Sequence, residues 1–264
     1  MKAKSTSPTG AAKKRWIVKL GSGLLSRKDG VVNRKQIGLL VAQIAALMKE
    51  EYEVILVSSG AISAGMTALG LLQRPQATTS LQACATVGQI ELMSEYQRHL
   101  RKLELHGAQL LLTHANLDSR SCCHNATQTL EHLLSQKNIL PIINENDAIA
   151  SDEIKVGDND RLSAYVATLV HAQRLVILST VNGFMSNPDG TGNVIPSITK
   201  IDENIRRQAA GTAGPRNVGG MATKLIAAEI AAGIGADTII ANGHTPDILQ
   251  AIAKGEFVGT TFQL

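Results

Sequence analysis

Aromatic residues are scarce in this chain, with three Phe, three Tyr and one Trp among 264 residues. Surfaces that hold single-stranded nucleic acid stack bases on aromatic rings, so that function is disfavoured. Without rings to fill it, the interior must be built from Ala, Ile, Leu and Val, which suits a parallel sheet layered with helices. There are only three cysteines, Cys84, Cys122 and Cys123. An odd number with two adjacent makes no disulfide framework, and the spacing does not suit zinc. A reducing, cytoplasmic compartment is the simplest expectation. The seven histidines are scattered without a His-x-x-x-His pattern, so no metal site built from side chains is expected. No apolar run approaches the ~20 residues that cross a bilayer, no signal-peptide core is present, and no membrane partner is expected.

What is present is ordinary for a globular chain: 44% hydrophobic and 18% charged residues. The length allows one large domain or two small ones. The net charge of +4 is local, because Lys2, Lys4, Lys13, Lys14 and Arg15 fall together with no acid among them. Residues 1–14 read as a flexible basic tail and residues 15–264 as a single domain. Only that tail favours nucleic acid, through salt-sensitive phosphate contacts; no nucleic-acid partner is expected for the rest.

Hydrophobic periodicity gives an alternating order. Arg15–Leu20 reads as a buried strand, Arg34–Glu50 as a helix and Tyr52–Val57 as a second strand. Residues 80–105 read as largely helical. Gly107–Thr113 is a third strand, Asn125–Gln136 a helix and Ile139–Ile143 a fourth strand. A helix from Leu162 leads to a fifth strand, Arg174–Ser179. Thr223–Ala232 is a helix, Thr238–Ala241 a strand, Pro246–Lys254 a short helix, and Gly259–Phe262 an edge strand. Residues 183–220 are the least regular part. Cys122 and Cys123 read as a loop pair. The pattern predicts an α/β three-layer sandwich, a mainly parallel sheet flanked by helices on both faces. Ligands of such sheets sit at the carboxyl ends of strands, and Gly21, Ser59-Gly60, Asn144 and Ser179-Thr180 all follow predicted strands.

Two polar bursts stand out: Asn144-Glu145-Asn146-Asp147, and Glu153 to Ala164 with Asp158, Asn159 and Asp160. Short acids and amides carry a desolvation cost when covered, so such a cluster suggests ligands for a small, charged, amine-bearing substrate with phosphate chemistry beside it. Lys19-Leu20-Gly21-Ser22-Gly23 is a strand followed by a glycine turn, where backbone N–H groups and a lysine can meet phosphate. The order Gly-Lys-Ser/Thr is missing, so it is not the common P-loop, nor is it the GxGxxG fingerprint. Gly219-Gly220-Met221-Ala222-Thr223-Lys224 is a second glycine pair leading into a helix. Lys224 stands against the helix dipole, which points to an anion nearby. Phosphoryl transfer needs charge neutralisation and in-line geometry rather than covalent help. Lys19 and Lys224 could flank the moving group, with Asp160 between them holding both ammonium groups and Mg²⁺ riding on the nucleotide phosphates.

These residues resemble the amino acid kinase family. The likeness rests on Val18 to Ser22, Val57 to Ile62, Ile143 to Ala148, Glu153 to Ala164, Gly219 to Lys224 and Gly233 to Ala241, and it runs from about Trp16 to Phe262. The Asn-Glu-Asn-Asp and Lys-Val-Gly-Asp-Asn-Asp segments point to the branch that phosphorylates the γ-carboxylate of L-glutamate at the head of proline synthesis. The resemblance implies Lys19 and Lys224 as transition-state stabilisers and Asp160 as their organiser. It implies Ser59, Gly60, Asn144, Asp147, Asp158 and Asn159 as the glutamate site, with Asp147 on the α-ammonium. ATP would lie along Lys19, Gly21, Ser22, Ser179, Thr180 and Val218 through Lys224 (Gly219, Gly220, Met221, Ala222 and Thr223 included). Gly21, Ser22 and Gly60 would offer backbone N–H groups. Proline as inhibitor, a glutamyl phosphate reductase as consumer, and a homodimer or homotetramer are further implications.

Three departures accompany the resemblance. The family's Thr-Asp or Ser-Asp step is Ser179-Thr180-Val181 here. The second glycine loop is reached through Gly214-Pro215-Arg216-Asn217-Val218. With the sequence running to Leu264, the RNA-modification-type domain that many bacterial relatives carry is not expected here. A kinase for another small acid, acetylglutamate or carbamate, is an alternative that Asp147 and Asp158 oppose, since an acylated amine needs no anionic partner. A non-catalytic amino-acid sensor is another, resting on Thr180 and opposed by Lys19, Lys224 and Asp160.

Overall fold

All six residues of Arg-Trp-Ile-Val-Lys-Leu are buried, as befits a central strand covered on both faces. The computed structural model describes residues 14–27, 30–150, 159–210 and 220–264; the basic tail expected at 1–14 falls outside them except for Lys14. In chain order the elements are β1 (Arg15–Leu20), α1 (Ser22–Leu25), α2 (Arg34–Lys49), β2 (Glu53–Val57), α3 (Ala61–Ala68), α4 (Thr78–Arg101), β3 (His106–Leu112), α5 (His114–Asp118), α6 (Arg120–Leu134) and β4 (Ile139–Glu145). There follow α7 (Asn159–Leu169), β5 (Arg174–Ser179), β6 (Ser197–Ile198), α8 (Glu203–Ala210), α9 (Met221–Ala232), β7 (Asp237–Asn242), α10 (Ile248–Ala253) and β8 (Thr260–Phe262).

Among the described residues the strands form one sheet in the order β3-β4-β2-β1-β5-β7-β8-β6. Every pair is parallel except β7 with β8. The expected three layers follow from the alternation of β1. Trp16, Val18 and Leu20 pack with Leu40, Ile44, Tyr96 and Leu249, from α2, α4 and α10. Ile17 packs on the other face with Leu130, Leu162, Val166 and Leu225, from α6, α7 and α9. Period two then sends Lys19 to the side of Ile17, toward α7 and α9. Truncating a buried leucine such as Leu40 or Leu162 would cost about 2–5 kcal/mol, so this packing is what fixes the strand ends that carry the site.

Several expectations need correction. The C-terminal strand is not at an edge, because β6, too short to show a period, pairs outside it. The stretch 183–220 holds β6 and α8. Cys122 and Cys123 lie in the first turn of α6 rather than in a loop. Ser119 caps that helix by accepting from the Cys122 N–H, so the helix begins five residues before Asn125. Helix α3 went unread because Ala-Ile-Ser-Ala-Gly-Met-Thr-Ala lacks a polar face. It exists through contact with α4: a Cβ on Gly65 would stand 1.8 Å from the Cys84 carbonyl oxygen, and one on Gly88 1.8 Å from that of Ala61. Only glycine permits that approach. No described helix is long and apolar enough to cross a membrane.

Candidate active site

The carboxyl ends of the parallel strands open onto a cavity of about 850 Å³. Its floor is an ion triad. Lys19 from β1 stands 2.6 Å from Asp160 Oδ1, and Lys224 from α9 stands 3.0 Å from Oδ2. The Thr223 hydroxyl donates to Oδ2 at 2.7 Å. Lys19, Lys224 and Asp160 are all buried. Burial alone would push the Asp160 carboxyl up, but the two ammonium groups and the Thr223 hydroxyl outweigh it and hold the group well below the usual carboxylate range. One carboxylate thus faces two buried lysines on the cavity floor, where their field on a ligand is less screened than in bulk water.

The rest of the wall comes from the turns after β1, β2 and β5 and from the start of α9. Gly21, Ser22, Ser59, Gly60, Ser179, Thr180, Gly220 and Met221 line the cavity with the triad. Gly60 sits at φ 92°, the left-handed region that glycine favours, and leads directly into α3. Gly21 corrects an expectation: its N–H donates to the Leu178 carbonyl at 2.9 Å, so it is not offered to a phosphate. Ser22 and Gly23 follow as the first residues of α1, whose amides have no acceptor within the helix.

On the opposite wall Asp147 and Asn159 line the cavity. Burial raises the Asp147 carboxyl to about 6, against the opposing pull of Arg74. Behind them Asn144 is buried, bonded to Asn159 at 3.1 Å rather than facing the cavity. Ala222 is exposed and lies off the cavity. Thr223 acts on Asp160 from behind. Asp158, Val218 and Gly219 lie outside the described residues. Reading the sequence missed Arg74 and Arg27, both on the lining. Arg74 follows Leu71-Leu72-Gln73 in a loop without periodicity or motif, so no local signal marks it.

Residues 14–242 match the amino acid kinase family. The chain belongs to that family. It is 45% identical over 258 residues to a glutamate 5-kinase of Marinomonas sp., covering 96% of the chain and 68% of the relative. It is 43% identical over 263 residues to one of Polaromonas sp., covering 98% and 69%. The chain spans about two thirds of these relatives' length. Among solved structures, carbamate kinase from Giardia lamblia bound to AMP-PNP superposes with a TM-score of 0.65 at 18% identity, covering 96% of this chain and 99% of that one. UMP kinase from Bacillus anthracis gives 0.62 at 16%, covering 95% and 96%. Such distant likeness speaks for the amino acid kinase fold alone.

Proposed function

We propose that this chain transfers the γ-phosphoryl group of ATP to the γ-carboxylate of L-glutamate, giving glutamyl 5-phosphate, the first step of proline synthesis. The observation that carries the reading is the Lys19–Asp160–Lys224 triad at the cavity floor; the glutamate 5-kinases at 43–45% identity supply the substrate. A carboxylate is already ionised at neutral pH, so its oxygen attacks the γ-phosphorus directly and no general base is required. The barrier lies in the charge that gathers on the transferred group, and lysines held in place by Asp160 meet that charge without reorganising. The Asp160 carboxylate is engaged by both lysines, so Mg²⁺ would be held chiefly by the nucleotide phosphates, where it supplies further charge neutralisation.

At the glutamate end, Asp147 suits the α-ammonium and Ser59 with Asn159 the adjoining polar groups. Proline carries the same carboxylate and a secondary ammonium, so its inhibitory site would overlap this end. The acyl phosphate is reactive, and a reductase would consume it. The test is trapping by hydroxylamine: the purified chain with Mg²⁺, ATP and L-glutamate should give a hydroxamate that L-proline suppresses. Acetylglutamate or carbamate turned over in preference to glutamate would sink the reading.

A further inference from the structure

Behind the cavity runs a file of four side-chain amides, one from each of four elements. Gln89 of α4 donates through Nε2 to Gln109 Oε1 of β3 at 3.1 Å. Asn144 Nδ2 of β4 donates to Gln89 Oε1 at 2.8 Å. Asn159 Nδ2 of α7 donates to Asn144 Oδ1 at 3.1 Å and to Ser59 Oγ at 3.1 Å. An amide can turn over and exchange its oxygen for its nitrogen, so the polarity of such a file must be set somewhere. Here the backbone sets it: the Glu145 N–H, which can only donate, reaches Asn144 Oδ1 at 3.0 Å. With that oxygen fixed as acceptor, Asn144 Nδ2 must face Gln89 and Asn159 must present its nitrogen. Two consequences reach the cavity. Among the described residues Asn159 Oδ1 is buried without a hydrogen-bond partner, in a residue only 7% exposed, and so waits for a donor. Ser59 Oγ, having accepted from Asn159, keeps its own proton to give.

We propose that Gln89 is a positioning residue that holds the Asn144 amide in place within this file, whose polarity the Glu145 N–H sets, so that the site offers an acceptor at Asn159 to a ligand N–H and a donor at Ser59 to a ligand oxygen. Gln89 touches no substrate; it acts through Asn144 by supplying the buried acceptor that Asn144 Nδ2 requires. The resulting pattern selects an α-amino acid over the same diacid without its amine. This inference rests on the glutamate-kinase reading above.

The test compares L-glutamate with glutarate in the hydroxamate assay, for the wild type, Gln89→Met and Gln89→Glu. Met keeps the volume and removes the acceptor. The wild type should favour glutamate. Gln89→Met should lose about five- to tenfold of that preference, as one hydrogen bond is worth, through a higher KM for glutamate with kcat and the KM for ATP little changed. Gln89→Glu keeps an oxygen facing Asn144 and should retain the preference. A merely structural role would lower both acids and the ATP parameters together, and that result would overturn the proposal. Loss of preference in Gln89→Glu would overturn it too, even where the Met variant does not fold. A wild type active on glutamate with an unchanged Gln89→Met ratio fails the positioning role alone, whereas a wild type inert toward glutamate fails both readings.

Discussion

Asp160→Asn removes one charge and almost no volume from the cavity floor. The carboxylate lies 2.6 Å from Lys19 and 3.0 Å from Lys224, and all three residues are buried. Breaking a buried pair costs about 3–5 kcal/mol, because a charge is left without its counter-charge. The cavity admits water, so the lower end of that range applies. At roughly 2–4 °C per kcal/mol for a chain of this size, the midpoint of thermal unfolding should fall by about 6–12 °C at pH 7. Asp160 titrates lower in the folded chain than in the unfolded one, so its contribution is present above the unfolded value of about 3.9 and is lost as pH falls toward the folded one. The gap between wild type and variant should therefore hold from pH 8 to pH 5 and close only in stronger acid. Nucleotide phosphates can restore the missing negative charge, so saturating Mg²⁺·ATP should narrow the gap. Thermal unfolding of both proteins, across pH and with and without nucleotide, measures all of this. A variant melting within about 1 °C of wild type at pH 7 would refute the view that the carboxylate organises two charged lysines.

Lys224→Ala should lower kcat by at least about a hundredfold while leaving glutamate binding by calorimetry nearly intact; weakened binding with normal kcat would contradict the assignment. Because burial lifts Asp147 to about 6, the KM for glutamate should rise as pH falls below that value, and a flat profile from pH 8 to 5 would disconnect Asp147 from the ammonium. The same raised value means that the ionised form is disfavoured in the folded chain. Asp147→Asn should therefore melt higher at pH 8, by about 1–2 kcal/mol after allowance for partial exposure, while binding glutamate less well. Gly88→Ala should force α3 from α4, since its Cβ would meet the Ala61 carbonyl. A cost of about 1–3 kcal/mol and a raised glutamate KM are expected, because Ala61 adjoins Gly60 at the cavity.

The strands were legible where they were long and covered on both faces, as β1, β4 and β5 are: a continuous apolar run is itself the signal. Lys19 and Asp160 could be paired from the sequence because each sits beside a motif at a strand end or helix start. The distances of 2.6 and 3.0 Å put both lysines on that one carboxylate, as expected. Gln89 was invisible for the opposite reason. It lies mid-helix among Val87, Gly88 and Ile90 with no local mark, and its meaning comes from contacts 20 and 55 residues away. Gly65 and Gly88 are poor helix formers by propensity, and the close approach of α3 to α4 accounts for them. Strand β6, of two residues, is too short for any period, which is why β8, itself read from the sequence, was taken for the edge. The start of α6 was misplaced because Ser-Arg-Ser-Cys-Cys lacks an apolar stripe, and the Ser119 cap had to be seen to be weighed.

In the proposed reaction a glutamate carboxylate oxygen attacks the γ-phosphorus of ATP beside Lys19 and Lys224. L-Glutamate carrying ¹⁸O in its γ-carboxylate, turned over with Mg²⁺·ATP and hydroxylamine, tests it most directly. Hydroxylamine attacks the acyl carbon and releases phosphate with the bridging oxygen attached. One ¹⁸O is expected in each phosphate released with hydroxamate, and no such phosphate from Lys224→Ala. Phosphate without label would mean that water, not the carboxylate, is the nucleophile in this site.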